Sequence, residues 1–286
     1  MAPRFYRAGV DVKGPSGVGR TAVGMARLRA AERLRSDKLF DDPYAAAFVA
    51  AAPLALPAGD RAAEGTLGAA FAFAGVIRTR FYDDYLTASV LADRRQVVLM
   101  AAGLDSRAFR LAWPAGVVLY ELDLPEVLRF KADVLNGQDA TSGCRRVPVP
   151  VDLRGSWVSA LQAAGFESSA PTAWLVEGLL IYLTHEEAVD LLTTIGDLSA
   201  PGSQLAAERQ ALRPGQLRQQ VQALPAMREF AAMWQGGLRE DLGGWLERHG
   251  WTTTLHDRTV VATSLSRSAP PSDGSGFVVA TRSDRP

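Results

Sequence analysis

QVVLMAAGLDSRAFRL, residues 96–111, decides the fold. Gln96–Met100 is a short apolar run with adjacent β-branched valines, and Gly103 ends it. A run this short, closed by a glycine turn, reads as a buried strand. Leu104–Trp113 then reads as a helix.

The same alternation continues outward. Residues 117–121 give a second strand and 125–135 a second helix. Residues 146–151 are a third strand, followed by helix 157–164. Residues 173–177 are a fourth strand before helix 185–198, and 202–208 a fifth. Apolar strands alternating with helices of this length imply a parallel, doubly wound α/β sheet covered on both faces. Upstream, residues 20–36 place Val23, Ala26, Ala30 and Leu34 at helical spacing. Asp41-Asp42-Pro43 reads as a helix start, because carboxylates favour the helix dipole there and proline tolerates the first turn. Residues 53–66 read as a loop. From about Ala69 to Asp93 a long helix is expected, with Phe71, Phe73, Ile77, Phe81 and Leu86 supplying its bulk. After Arg213 come a polar, Gln-rich helical stretch, then Gly236-Gly237 and a helix through Leu246. Trp251–Leu255 and Phe277–Thr281 are late strands joined by a long Ser/Pro/Gly-rich loop. The chain reads as one domain: a helical extension (1–94), a ligand-binding core (95–208), a helical lid (209–240) and C-terminal strands (241–286).

Composition excludes several classes. Lys+Arg and Asp+Glu both total 31 in 286 residues, so no basic excess exists to release counterions from nucleic acid. Cys144 is the single cysteine, which rules out an intrachain disulfide and suits a reducing cytoplasm. Residues 1–7 lack the apolar core of a signal peptide. The apolar stretches 45–56 and 67–77 fall short of the ~20 residues that cross a bilayer, so they read as buried helices. No His or Cys cluster has metal-ligand spacing.

Ligands of open parallel sheets bind outside the carboxyl ends of the strands. There, Gly103 lets a ligand approach the backbone, and Glu121 at the end of the second strand can accept bonds from both hydroxyls of a ribose. A dinucleotide site wants G-x-G-x-x-G, but Ala101 and Ser106 stand where two of those glycines belong, which weakens a pyrophosphate reading. S-adenosylmethionine carries no phosphate and needs a ribose acceptor, an adenine slot and a partner for its amino-acid end. Asp152 can accept from the adenine amine while Leu153 packs the ring face.

These residues resemble a known family. RTAVGMARLRAAE (20–32), LFDDPYA (39–45), RTRFYDDYL (78–86), VVLMAAGLDSRAFRL (97–111), YELDLPEVLRFKADVL (120–135), VPVDLRGSW (149–157) and WLVEGLLIYLTHEE (174–187) are similar to the leucine carboxyl methyltransferase superfamily. The likeness is to its bacterial S-adenosyl-L-methionine-dependent O-methyltransferases, and WLERHGW (245–251) and GFVVATR (276–282) also fit. The resemblance implies a class I, Rossmann-like methyltransferase sheet of seven strands with an antiparallel last strand. It places Ala101, Gly103 and Asp105 against the methionine part of the cofactor, Glu121 with Leu122 at the ribose, and Asp152 with Leu153 at the adenine. Glu177 with Gly178 falls beside the sulfonium and amino group. Arg80 or Arg78 is implied as the partner of the cofactor carboxylate, with Arg27 or Arg29 as a second basic contact. The family usually has Gly-Ala-Gly where this chain has Ala101-Ala102-Gly103, and the methyl at Ala101 is costly if φ is positive there.

Methyl transfer from a sulfonium asks the protein chiefly to align donor and acceptor and to exclude water. A carboxylate acceptor needs no base, whereas a hydroxyl acceptor would. Tyr182 and His185 are the catalytic candidates, and Glu208 and Arg209 could line the acceptor pocket. The expected acceptor is a small molecule, a carboxylate or hydroxyl of a polyketide-type secondary metabolite, and not nucleic acid or membrane. The competing readings are a nicotinamide-dependent oxidoreductase on a similar sheet and a non-catalytic binder of S-adenosylmethionine.

Overall fold

The computed structural model describes residues 19–52, 67–210 and 231–284. The expectations for residues 1–7, for the 53–66 loop and for most of the lid, including its Gln-rich stretch, lie outside them. The described elements, in chain order, begin with helices α1 (Gly19–Arg33), α2 (Ala45–Ala51) and α3 (Leu67–Leu91). There follow β1 (Gln96–Met100), α4 (Arg107–Arg110), β2 (Val118–Asp123), α5 (Pro125–Asn136), β3 (Arg145–Pro150) and α6 (Trp157–Ala163). Next are β4 (Thr172–Val176), a 3-10 turn (Leu180–Tyr182), α7 (His185–Asp197) and β5 (Gln204–Arg209). The chain ends with α8 (Leu242–Arg248), β6 (Trp251–Asp257), α9 (Arg258–Ser264) and β7 (Gly276–Arg282). No described helix is long and apolar enough to cross a membrane.

The strands form one seven-stranded sheet in the order β3-β2-β1-β4-β5-β7-β6. β7 enters antiparallel between β5 and β6, and the pairs among β1–β5 are all parallel. The reversed last strand is the one the resemblance implied, and it departs from the 3-2-1-4-5-6 order of dinucleotide-binding sheets. All five residues of β1 and of β4 are buried, as expected of central strands covered on both faces. β3 carries Pro148 and Pro150, which a strand tolerates at a sheet edge because no further ladder needs their missing N–H.

One face of the sheet packs Trp157 and Leu161 of α6, Leu191 and Ile195 of α7 and Trp245 of α8. The other packs Ile77 and Leu86 of α3 and Ala262 of α9. A smaller cluster joins Val23, Phe48 and Phe130 from α1, α2 and α5 to Leu104. It seats the N-terminal helices over the turn after β1.

Three local expectations change. The helix over 104–113 shrinks to α4, because Asp105 and Ser106 form its lead-in turn. α1 stops at Arg33 and leaves Leu34 88% exposed, while Arg29 and Glu32 take the buried stripe. The loop between the last strands holds α9, started by the Asp257 side chain accepting from the Thr259 and Val260 amides.

Candidate active site

β1 ends in a left-handed turn: φ is +54° at Ala101 and +49° at Gly103. A Cβ on Gly103 would stand 3.2 Å from the Ala22 methyl of α1, so the turn is pressed between the sheet edge and the N-terminal helix. Ala101 does occupy the conformation that makes its methyl costly.

β2 runs two residues past its expected end, and this relocates the strand-end carboxylate. Asp123, not Glu121, stands there, half-buried, with Oδ2 accepting the Gly103 amide at 2.6 Å and Oδ1 the Leu124 amide at 2.7 Å. Glu121 is 0% exposed. Its Oε1 lies 2.9 Å from Lys131 Nζ, and its Oε2 accepts from Arg146 at 2.7 and 3.0 Å. A carboxylate so enclosed has no face left for a ribose, so the expectation for Glu121 is corrected. Leu122 is corrected with it: its side chain is 0% exposed in the core. The available signal was Y-E-L-D-L-P, since Pro125 opens α5 and pushes the strand end to Asp123.

Beside the turn lies a partly buried ion cluster. Arg107, 3% exposed at its side chain, bonds Asp83 through Nε at 2.7 Å, Glu177 through Nη1 at 2.8 Å, and Asp105. Arg78 of α3 bonds Glu177 and Glu208 at 2.9 Å each, and Arg110 holds Asp83. The Gly178 amide donates to both oxygens of Glu208 at 2.9 Å. These ties join α3 to the carboxyl ends of β1, β4 and β5. Among the described residues, four carboxylates face three guanidiniums here, an excess of one carboxylate. Burial pushes the Glu177 carboxyl up, but Arg107 and Arg78 outweigh it and hold it below the usual range. Burial likewise opposes ionisation of Asp105, yet Arg107 and Lys131 bring it down to about 2. At Glu208 burial wins over Arg78, and its carboxyl is raised.

Within the arginine pairs, Arg78 is the one in the cluster. Arg80 points to the outer face of α3, bonded to Asp84 at 2.9 Å and to the Leu39 carbonyl, so Arg80 is replaced by Arg78. α-Helical spacing explains it: residues two apart leave on opposite sides. Arg29 is buried and joins Asp42 to the Leu104 carbonyl, both at 2.7 Å, tying α1 to the turn after β1. Asp42 in turn accepts from the Tyr44 and Ala45 amides where the chain enters α2.

Asp152 follows β3 on the same edge; the neighbouring Val151 amide donates to the Asp123 carbonyl at 2.8 Å. Its oxygens are held by Arg154, a residue 62% exposed at its side chain and so easily displaced. Leu153 packs at the rim of the core. Tyr182 joins Phe71 and Ile181 around Ala231 and Trp234. His185 opens α7 behind the Thr184–Glu187 capping box, and its Nδ1 accepts from the Arg239 amide at 3.3 Å. That contact anchors the segment leading to α8. Among the described residues, Asp83, Arg107, Arg110 and Asp123 belong to this edge and its ion cluster but were not singled out from the sequence. Arg107 had a signal in the D-S-R spacing, which lets its backbone amide and guanidinium both reach Asp105.

The family described as leucine carboxyl methyltransferase matches residues 22–196, from α1 to α7. A Frankia alni protein named as an S-adenosyl-L-methionine-dependent methyltransferase is 50% identical, covering 97% of this chain and 99% of its own. A Streptomyces coelicolor protein of the same description is 46% identical over 85% of this chain and 86% of its own. Among solved structures, a DUF574 family protein from Streptomyces avermitilis superposes with TM-score 0.57 at 16% identity, covering 90% of this chain and 96% of that one. Likeness at that identity speaks for the fold. With the family match and the 50% identity together, the chain belongs to the leucine carboxyl methyltransferase family.

Proposed function

We propose that this protein transfers the methyl group of S-adenosyl-L-methionine to an oxygen of a small acceptor, foremost a carboxylate, giving a methyl ester. Dependence on that cofactor and methyl transfer follow from the family and from the 50%-identical relative named for both. One observation carries the site assignment: the left-handed turn at Ala101 and Gly103 is gripped by the strand-end carboxylate Asp123.

The residues fit this cofactor. Its sulfonium and ammonium outnumber its single carboxylate, and among the described residues the ion cluster beside the turn has one carboxylate in excess. Asp123 spends about two of its four lone-pair sites on amides, leaving two for the ribose hydroxyls. Asp152 and Leu153 would hold the adenine, Glu177 the ammonium and Arg78 the carboxylate. When bound, the cofactor supplies a methyl group already activated by positive sulfur. The chain's own work is to align it with the acceptor and keep water out. A carboxylate acceptor is ionised at neutral pH and asks for no base. The family's name favours a carboxylate acceptor, and the zero net charge speaks against nucleic acid.

A hydroxyl acceptor is the second reading, and Glu208 favours it: partly buried and raised, its carboxylate is a better proton acceptor than an exposed glutamate. Incubation with methyl-labelled cofactor and a panel of carboxylic acids and phenols separates the two. Alkali-labile product on a carboxylic acid supports the ester reading; alkali-stable product on phenols alone replaces it. Label transfer to no acceptor, despite cofactor binding, supports the non-catalytic binder.

A further inference from the structure

Lys131 of α5 is 0% exposed, with Nζ 2.9 Å from Glu121 Oε1. Among the described residues neither atom has a hydrogen-bond partner, so the pair is held by charge rather than by bond geometry. A fully buried lysine is rare, and this one is not needed to fill volume, since an apolar side chain would do so at less cost.

The strand's periodicity gives it a task. Glu121 and Asp123 are two apart on β2, so both side chains leave the same face of the sheet. Two carboxylates on one partly dry face oppose each other's ionisation. The charged groups around Asp123 come from each neighbouring element. Glu121 shares its strand, Lys131 approaches from α5, and Arg146 of β3 binds Glu121 Oε2 at 2.7 Å. Asp105 and Arg107 pair with each other beyond the turn. Arg146 is itself seated 5.3 Å over the Phe109 ring.

We propose that Lys131 is a positioning residue for Asp123: by neutralising Glu121 from the buried side, it keeps the strand-end carboxylate charged for the cofactor's ribose. The inference rests on the cofactor reading above. Burial already pushes the Asp123 carboxyl up and Glu121 adds to it, against the Gly103 and Leu124 amides and Lys131. Burial is the largest of these influences and the Gly103 and Leu124 amides the next, so the charges of Lys131 and Glu121 adjust a carboxyl that burial has already raised.

Calorimetric titration with S-adenosylhomocysteine from about pH 8 down to about pH 5 tests this. Lys131→Met is expected to bind nearly as the wild type at the alkaline end and roughly tenfold more weakly at the acid end. Lys131→Met/Glu121→Gln, which removes both charges, returns the profile towards wild type. Glu121→Gln alone moves the midpoint to lower pH. Should Lys131→Met fail to fold, the latter two variants carry the test. A lysine that merely props the fold would lower the melting temperature and leave the pH profile where it was. That result, or an unmoved midpoint in Glu121→Gln, overturns the proposal. Absence of binding by the wild type would instead sink the cofactor reading.

Discussion

Replacing Asp123 by alanine separates the two carboxylates of β2. Its carboxylate accepts the Gly103 and Leu124 amides at 2.6 and 2.7 Å and keeps two lone-pair sites for ligand hydroxyls. A hydrogen bond to a charged group contributes about 1.5–3 kcal/mol. Water replaces part of what is lost at this half-buried position, so the net cost to the pair of ribose contacts is about 1.5–3 kcal/mol. That corresponds to roughly 10- to 150-fold in Kd. Glu121→Gln has the opposite signature. It leaves Lys131 buried and without its counter-charge, which destabilises the fold by about 3 kcal/mol, while Kd at pH 8 stays within about threefold. The assay is calorimetry with S-adenosylhomocysteine at mildly alkaline pH, beside thermal melts of both variants. If Asp123→Ala binds as the wild type and Glu121→Gln loses tenfold or more, the ribose belongs to Glu121 and the site has been drawn one turn of the strand too far out.

Three further outcomes are expected. Ala101→Gly relieves a left-handed alanine at φ +54°, a cost of about 1–2 kcal/mol, and returns up to about 1 kcal/mol through a freer unfolded chain. The melting temperature should rise by about 2 °C, and a fall would show that the Ala101 methyl contributes more by packing than it costs in strain. Asp105 drops from 3.8 to about 2 on folding, so its ionised form contributes about 2.5 kcal/mol. That stability is present above about pH 4 and is lost as pH falls towards 2. Asp105→Asn should therefore be less stable by about this amount at neutral pH in urea titrations, and the difference should vanish in acid. Glu208 has the opposite sign: its raised carboxyl makes the fold less stable above its folded-state pKa than below it. Glu208→Gln should thus gain stability at alkaline relative to acid pH, and should lose turnover of hydroxyl acceptors while sparing carboxylates. Equal loss on both acceptor types would remove the base assignment.

Periodicity in the linear chain was enough for the sheet. Five apolar runs alternating with helices fix a parallel doubly wound core, because strands buried on both faces must be apolar throughout. The Gly103 turn was legible because glycine there has no cheap substitute, and Asp152 was placed at the carboxyl edge because it follows an apolar run, whereas Glu177 was singled out only by the family resemblance. What no local pattern could supply was the choice among neighbouring like residues. Glu121 and Asp123 differ only in whether α5 and β3 bring cations against them, and those cations, Lys131 and Arg146, come from elsewhere in the chain. Arg78 and Arg80 differ only in which side of α3 faces the carboxyl edge. Arg107 gains its role from Asp83 on α3 and Glu177 after β4, distant in sequence and joined only by packing. Local sequence sets where strands end; which charge at those ends stays open to a ligand is decided by long-range desolvation and pairing, which exist only once the chain has folded.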